Sequence, residues 1–302
     1  MSSKYLIIVA GPTAVGKTDQ AIRLAEYFNT EIISADSRQI YRETVIGTAV
    51  PTPAQLARVK HHFIGHKSIH DYYNASHFEM EAINLLDKLF VDHDVVVMAG
   101  GSGLYIDAVC QGIDNIPTVD PVIRDRLRKE YQSVGLEGIR SRLHEIDPAY
   151  YQKVDLHNPN RMLKALEIFE MTGLPYSSFL TGKGKRRDFF PLKIGLDMPR
   201  KELHDRINTR VEYMMAQGLL QETEGLFQFR KINALNTVGY KEIFDYLEGK
   251  YSLKEAVEHI KGHTRQYARR QLTWFRKYED IQWFIAGDKE NVIKFIISKI
   301  RH

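Results

Sequence analysis

The chain has 302 residues, 43% hydrophobic and 26% charged, a composition ordinary for a globular protein with two domains or one domain with a large insert. Cys110 is the only cysteine, which excludes an intramolecular disulfide and a cysteine-rich zinc site, and the formal net charge of +4 indicates an anionic partner only weakly. No apolar stretch approaches the ~20 residues that span a membrane, and residues 1–4 leave no room for a cleavable signal peptide, so we expect a cytoplasmic protein that does not bind membranes.

The first predicted element is a buried strand over residues 5–10, which leads into a glycine-rich loop and then a helix. The loop fits the pattern G-x-x-x-x-G-K-[ST], and its members are Gly11, Pro12, Thr13, Ala14, Val15, Gly16, Lys17 and Thr18. Strand, loop and helix in this order are what a phosphate-binding loop requires. Its N–H groups and the helix N-terminus favour an anion, Lys17 adds a mobile charge, and the Thr18 hydroxyl suits a Mg²⁺ ion that bridges two phosphates. The loop therefore predicts a di- or triphosphate ligand.

A second short strand, residues 31–35, ends just before Asp36. A carboxylate there could ligate a loop-bound magnesium through water, or act as general base on an acceptor substrate. It could instead cap a helix, since Asp is a favoured N-cap, but its place past the end of a strand favours a functional role. Four histidines follow without the spacing of metal ligands, so we interpret them as surface or structural residues: His61, His62, His66 and His70.

Residues 78–90 have helical periodicity, and the β-branched residues 94–99 predict a third strand that ends in a Gly-Gly-Ser-Gly turn. Strands alternating with helices predict an α/β fold, a parallel sheet like that of P-loop NTPases with helices on both faces. Ligands gather at the carboxyl ends of such strands, so Gly11, Asp36 and Gly100 should converge on one site. Ser102 could donate to a phosphate or a base there, or the turn could simply connect strand and helix.

The second half of the chain is predicted to be mainly helical. Residues 119–190 are interpreted as a mostly helical insert, which leaves residues 1–118 and 191–302 as the catalytic core, with a returning strand at 192–196 and a candidate edge strand at 283–285. Residues 261–277 hold six Lys or Arg, no acidic residue and interleaved aromatics, which predicts contact with a polyanion. Trp274 and Phe275 within that helix are more consistent with core packing.

These motifs alone leave two chemistries open. A phosphate-loop kinase would bind a nucleoside triphosphate, but a small kinase needs lid arginines and rarely has a helical insert of this length. In the alternative, the loop binds the pyrophosphate leaving group of a displacement at carbon.

A series of segments, taken in order, covers the chain nearly from end to end. They are residues 11–18, 33–41, 46–49, 100–105, Asn160 and Arg161 with 165–167, 206–207 with 210–211, 238–241 and 264–276. In these segments the chain resembles the bacterial type of tRNA dimethylallyltransferases, which are also called tRNA isopentenyltransferases. It departs from the pattern at Ser102, where many relatives have Thr, and at residues 155–158, where many have His-Pro-Asn-Asp.

The resemblance implies transfer of a dimethylallyl group from dimethylallyl diphosphate to N6 of the adenosine 3′-adjacent to the anticodon, position 37 of tRNA, with Mg²⁺ as cofactor. It implies that the loop of residues 11–18 cradles the diphosphate, that Thr18 holds Mg²⁺, and that Lys17 and Arg210 stabilise the leaving group. Asp36 would accept the N6 proton.

The resemblance also implies which residues contact tRNA. In the core they are Asp36, Ser37, Arg38, Gln39 and Ser102. In the insert, which would grip the anticodon stem-loop, they are Arg124, Asn160, Arg161, Met162, Leu163 and Lys164. The enzyme is expected to be a monomer.

Two other hypotheses remain. An adenylate isopentenyltransferase of the cytokinin type shares the phosphate loop and the Asp, but the helical insert and the basic helix favour a tRNA acceptor. A non-catalytic RNA-binding protein with a vestigial loop is disfavoured by the intact Lys17, Thr18 and Asp36.

Overall fold

The computed structural model describes residues 3–118, 120–182 and 184–300. The chain divides into two compact units, one made of Met1–Gln111 with Arg186–His302 and the other of Gly112–Lys185. The second unit therefore ends before the predicted boundary at residue 190, and the predicted start at residue 119 lies outside the described residues. The predicted end of the insert at residue 190 is corrected to Lys185, because Arg187 belongs to the first unit. Its guanidinium donates to the carbonyl oxygens of Ala108 and Val109 and pairs with the buried Glu79 at 2.6 Å.

Within the residues that the structure describes, the first unit is built on a sheet of six parallel strands, which confirms the predicted α/β class. The strands are β1 (Tyr5–Ala10), β2 (Ile32–Ser34), β3 (His61–His62), β4 (Val95–Gly100), β5 (Phe190–Asp197) and β6 (Ile281–Ile285). Their order across the sheet is β3-β2-β4-β1-β5-β6, and every neighbouring pair is parallel. The carboxyl ends of the strands therefore all open onto the same edge of the sheet.

Helices connect these strands and form most of the second unit. They are α1 (Lys17–Tyr27), α2 (Pro53–Arg58), α3 (Ala75–Asp92), α4 (Gly103–Gln111), α5 (Pro121–Ile146), α6 (Pro148–Tyr151), α7 (Pro159–Thr172), α8 (Arg200–Ala216), α9 (Leu219–Leu226), α10 (Tyr240–Leu247), α11 (Leu253–Phe275) and α12 (Lys289–Ile300). Helix α11 begins with a capping box, in which Ser252 and Glu255 satisfy each other's backbone N–H groups. None of the helices in the described residues is long and apolar enough to cross a membrane.

Both faces of the sheet are covered. Leu6, Ile7, Ile8 and Val9 of β1 are all 0% exposed, and successive side chains of a strand point to opposite faces. Ile7 and Val9 belong to one apolar cluster with residues of α1, α8 and α12. Such continuous apolar strands are typical of a parallel sheet between two helical layers.

The second unit has a small core of its own. Leu127, Leu143, Met162 and Leu166 pack together between α5 and α7. Helix α5 is broken at Gly135, whose φ of +66° is outside the helical range. The described residues of this unit form helices, 3₁₀ turns and loops and no strand.

Candidate active site

The loop between β1 and α1 has the curled backbone that its sequence predicts. Gly11 and Gly16 have φ values of +148° and +102°, which favour glycine. A Cβ atom at Gly11 would lie 2.6 Å from the carbonyl oxygen of Leu196 in β5, so a side chain there would push the loop off the sheet. Inside the loop, the Lys17 ammonium donates to the carbonyl oxygen of Pro12 at 2.7 Å. The loop is thus held close to the ends of β1 and β5.

Three charged groups meet at this loop. Burial lowers the pKa of Lys17 to about 7, an effect that the charge of Asp36 opposes and that of Arg210 reinforces. Burial also lowers the pKa of Arg210, and Asp36 opposes this shift too. Two desolvated cations thus share one nearby carboxylate. An added anion would stabilise the charged form of both cations.

Asp36 directs one carboxylate oxygen at its own turn. Its Oδ1 accepts the N–H of Arg38 at 2.9 Å and that of Gln39 at 3.4 Å, so the residue closes the turn after β2 and does not cap a helix. Its Oδ2 accepts no hydrogen bond from the part of the chain that the structure describes. Burial raises the pKa of the Tyr267 phenol, and the negative charge of Asp36 raises it further, which indicates that the two groups are close.

The turn at the end of β4 touches the segment that carries Asp36. A Cβ atom at Gly100 would lie 2.1 Å from the carbonyl oxygen of Ala35. The Ser37 N–H donates to Ser102 Oγ at 2.9 Å, and the two hydroxyl oxygens are 3.1 Å apart. The segments after β1, β2 and β4 therefore converge as expected, and the Ser102 hydroxyl holds the Asp36 turn in place.

The other two side chains of this turn are also bonded to the protein. Arg38 donates to the carbonyl oxygens of Asn233 and Ala234, at 3.1 and 3.0 Å. The Gln39 amide donates to the carbonyl oxygens of the neighbouring residues 48 and 49, at 3.2 and 3.1 Å. Both side chains thus help to fix the shape of the site.

Sequence reasoning missed Gln271, a buried residue of α11 that joins two of the converging loops. Its Oε1 accepts the Thr13 N–H at 2.8 Å, and its Nε2 donates to the carbonyl oxygen of Gly101 at 2.9 Å. Arg210 reaches the same loop residue, with Nη1 3.3 Å from Thr13 Oγ1. On the same side of α11, the Trp274 indole fills the space that a side chain at Gly103 would need. Residues 267, 271 and 274 are spaced as on one face of a helix, and this spacing is the only sequence signal that places Gln271 and Trp274 on the same side of α11.

A second missed residue, Glu222 of α9, organises the loop that Gln39 contacts. Its carboxylate accepts the N–H groups of Val45, Ile46 and Gly47 at 3.0, 2.8 and 3.0 Å. It also accepts the hydroxyl of the fully buried Tyr240 at 2.5 Å. One carboxylate thus fixes a loop more than 170 residues away in the chain.

The predicted tRNA-binding residues of the second unit differ in their surroundings. Asn160 and Arg161 are exposed in the first turn of α7. Arg124 pairs with the buried Glu167, with Nε 3.0 Å from Oε1, and burial lowers the pKa of the half-buried Lys164. Met162 and Leu163 are 0% and 5% exposed, because they belong to the core of the unit. Their side chains pack inside the unit, and the contact with tRNA that the sequence predicts at these two residues stays a prediction.

The histidines that follow β2 are used within the fold. His62 pairs with Glu31 at 2.5 Å, and His61 Nδ1 is 2.8 Å from the carbonyl oxygen of Val59. His66 lies 3.4 Å from Glu81, and the His70 ring meets the ring of Phe229. In the described ranges no group of three or more His, Cys, Asp or Glu side chains could hold a metal ion. A metal bound within these ranges would therefore have at most two such side chains as ligands, with hydroxyl groups, a substrate or water as the others.

Comparisons with known proteins agree on one family. Residues 39–278 match the family model described as IPP transferase. The chain is 50% identical to tRNA dimethylallyltransferase 1 of Bacteroides fragilis over 301 residues, which is 100% of both chains. Among solved structures, the full-length tRNA isopentenylpyrophosphate transferase of Bacillus halodurans superposes with a TM-score of 0.72 at 35% identity, over 99% of this chain and 97% of that one. A eukaryotic dimethylallyltransferase acting on tRNA gives a TM-score of 0.76 at 27% identity, over 95% of this chain and 75% of that one.

Proposed function

We propose the following reaction for this chain, which belongs to the IPP transferase family and is a tRNA dimethylallyltransferase. The donor is dimethylallyl diphosphate, and the acceptor is N6 of the adenosine 3′-adjacent to the anticodon, position 37 of tRNA. The bond between the dimethylallyl C1 and the diphosphate oxygen breaks, a C1–N6 bond forms, and N6 loses a proton. The observation that carries the proposal is the placement of one carboxylate, Asp36, within electrostatic reach of two half-buried cations, Lys17 and Arg210.

The cations would stabilise the leaving group. As the bond to C1 breaks, negative charge develops on the diphosphate oxygen that was bonded to C1. Fixed cations in a site with little water stabilise that charge most. The N–H groups of the loop other than that of Thr13, which donates to Gln271, would bind the diphosphate. The contact between Arg210 and Thr13 places the guanidinium beside the same loop.

Asp36 would accept the proton. The exocyclic amine of adenine is a weak nucleophile, so a positioned base assists its attack. The hydrogen bond from the Arg38 N–H orients Oδ1. Oδ2, which accepts no hydrogen bond from the described residues, is then the oxygen that takes the N6 proton.

The adenosine must leave its stack to reach Asp36, at a cost of a few kcal/mol. Burial is the main reason that the pKa of the Tyr267 phenol is raised, and the charge of the nearby Asp36 raises it further. Aromatic side chains are the common stacking partners of a splayed RNA base. The second unit would grip the anticodon stem-loop through its exposed polar residues, with Asn160 and Arg161 as the foremost candidates.

The donor set fits Mg²⁺. This ion keeps several waters and binds through one or two protein oxygens plus substrate phosphates, and the Thr18 hydroxyl offers one such oxygen. When bound, the ion would neutralise charge on the leaving diphosphate. The cytoplasmic location and the monomeric state stay predictions.

The proposal is tested with labelled dimethylallyl diphosphate, Mg²⁺ and unmodified tRNA, with AMP and ATP as alternative substrates. We expect label on tRNA, and none on a tRNA in which another base replaces the adenosine 3′ of the anticodon. Label on AMP would move the chain to the cytokinin-type class. Turnover of ATP without transfer would mean that the phosphate loop binds a nucleotide.

A further inference from the structure

Helices α8 and α11 border a polar cavity that the proposed reaction does not use. Its volume is about 610 Å³, which is within the range of roughly 300–1,000 Å³ that is typical of sites for small molecules. Every residue that lines it is polar or charged. We call the lining the α8–α11 pocket, and it consists of Arg200, Lys201, His204, Asp205 and Asn208 of α8 and Arg265 of α11.

The protein does not balance the positive charge of this pocket. The lining holds three permanent cations, Arg200, Lys201 and Arg265, against a single carboxylate. None of the three forms an ion pair within the described part of the chain, and Arg265 Nη1 donates instead to the amide oxygen of Asn208 at 2.7 Å. Further along the same two helices, Lys261 pairs with a glutamate of α8 at 3.0 Å. This helix pair therefore balances charge elsewhere but leaves the pocket positive.

The imidazole of His204 is affected by this excess of positive charge. Burial is the main reason that the pKa of His204 is lowered, and the charges of Arg200 and Arg265 lower it further, whereas that of Asp205 opposes the shift. The pocket thus disfavours a further cation. An anion placed between the two guanidinium groups would reverse their effect on the imidazole.

The pocket and the phosphate loop lie on different faces of α8. Positions 200, 204 and 208 are spaced by four residues, so they share one face of the helix. Arg210 projects from another face, where its Nη1 is 3.3 Å from Thr13 Oγ1 of the loop. Arg200 precedes Arg210 by ten residues, which is roughly 15 Å along a helix. A ligand of the pocket would therefore be separate from a diphosphate in the loop.

We propose that the α8–α11 pocket binds a phosphate-bearing small molecule, held by the guanidinium groups of Arg200 and Arg265 and by the ammonium group of Lys201. Three cations and one carboxylate leave two positive charges uncompensated, and a phosphate group carries a charge of about −1.5 to −2 near pH 7. Arginine suits this ligand because its planar fork pairs with two phosphate oxygens at once. The proposal does not depend on the transfer reaction, since the pocket contains no residue that the reaction uses.

The test is an NMR titration of His204 in the wild-type enzyme. The imidazole signal is assigned with His204→Gln, and the pKa of His204 is measured without ligand, with inorganic tripolyphosphate and with ATP. We expect both ligands to raise this pKa, because they neutralise the guanidinium groups beside the imidazole. Equal affinities would assign the pocket to a phosphate chain alone, and tighter binding of ATP would assign it to a nucleotide.

The double variant Arg200→Gln/Lys201→Gln should bind tripolyphosphate at least about tenfold more weakly, as followed at His204, because it loses two charged donors. The matched control is Arg128→Gln/Lys129→Gln. It removes another adjacent Arg and Lys that are exposed on a helix and form no ion pair among the described residues. The control should bind tripolyphosphate as wild type does.

An unchanged pKa of His204 in the wild-type enzyme with both ligands would overturn the proposal, and this result does not depend on how well any variant folds. Equal weakening by the two double variants would also overturn it, since the effect would then be one of net charge. A His204 signal that responds to unmodified tRNA and to neither small anion would contradict it as well, because the pocket would then belong to the RNA substrate.

Discussion

Replacing Gln271 with alanine should weaken both the fold and the binding of dimethylallyl diphosphate. Gln271 is 5% exposed, and its side chain satisfies the Thr13 N–H and the Gly101 carbonyl. Each buried backbone group left without a partner costs about 1–3 kcal/mol, so the loss of unfolding free energy should be about 2–6 kcal/mol. That is a large part of the 5–15 kcal/mol typical of a folded protein. A phosphate loop loosened by only about 1.4 kcal/mol binds its ligand tenfold more weakly.

The assay combines urea unfolding with titration of dimethylallyl diphosphate. Gln271→Glu keeps an acceptor for the Thr13 N–H, but it places a carboxylate oxygen against the Gly101 carbonyl and adds negative charge near the diphosphate. We therefore expect Gln271→Glu to bind the diphosphate more weakly than wild type. Gln266→Ala, an exposed position on the same helix, is the control. Unchanged diphosphate affinity and unfolding midpoint in Gln271→Ala would refute the reasoning.

Two further predictions concern charge and loop support. The pKa of Lys17 is lowered to about 7, so at pH 8 the lysine of the free enzyme is mostly neutral, and a bound diphosphate should raise its pKa again. Calorimetry in buffers of different ionisation enthalpy should therefore detect proton uptake on diphosphate binding at pH 8 and little uptake at pH 6. Equal proton uptake at the two pH values would contradict the lowered pKa of Lys17. Glu222→Ala leaves three backbone N–H groups and the Tyr240 hydroxyl without their acceptor and should lower the unfolding free energy by at least about 3 kcal/mol. The exposed Glu224→Ala should change it by less than about 0.5 kcal/mol, and equal effects of the two variants in urea would disprove the role of Glu222.

Local patterns predicted the part of the fold that contains the phosphate loop. The apolar run of β1 ends at Ala10, where the sequence placed it, because a buried strand followed by a glycine turn is visible within ten residues. Strand β3 was not predicted, since two residues show no periodicity. Helix α2 was also missed; it is six residues long, has no buried residue and lacks an apolar face.

The residues that support the site could not be predicted in the same way. Gln271 and its partner Thr13 are 258 residues apart, and only the sheet topology brings them together. Glu222 lies in a short helix that shows no motif for loop binding. By contrast, Asp36 lies just past the end of β2, and Lys17 follows the loop after β1, so the rule that ligands gather at strand ends was sufficient to place them in one site.

The most direct test of the account is the rate of a single turnover in Asp36→Ala, measured with saturating tRNA and dimethylallyl diphosphate. If Asp36 accepts the N6 proton, the rate of transfer should fall by ~10²-fold or more. The affinity for tRNA should remain close to that of wild type. A transfer rate near that of wild type would contradict the central claim, because another group would then have to take the proton.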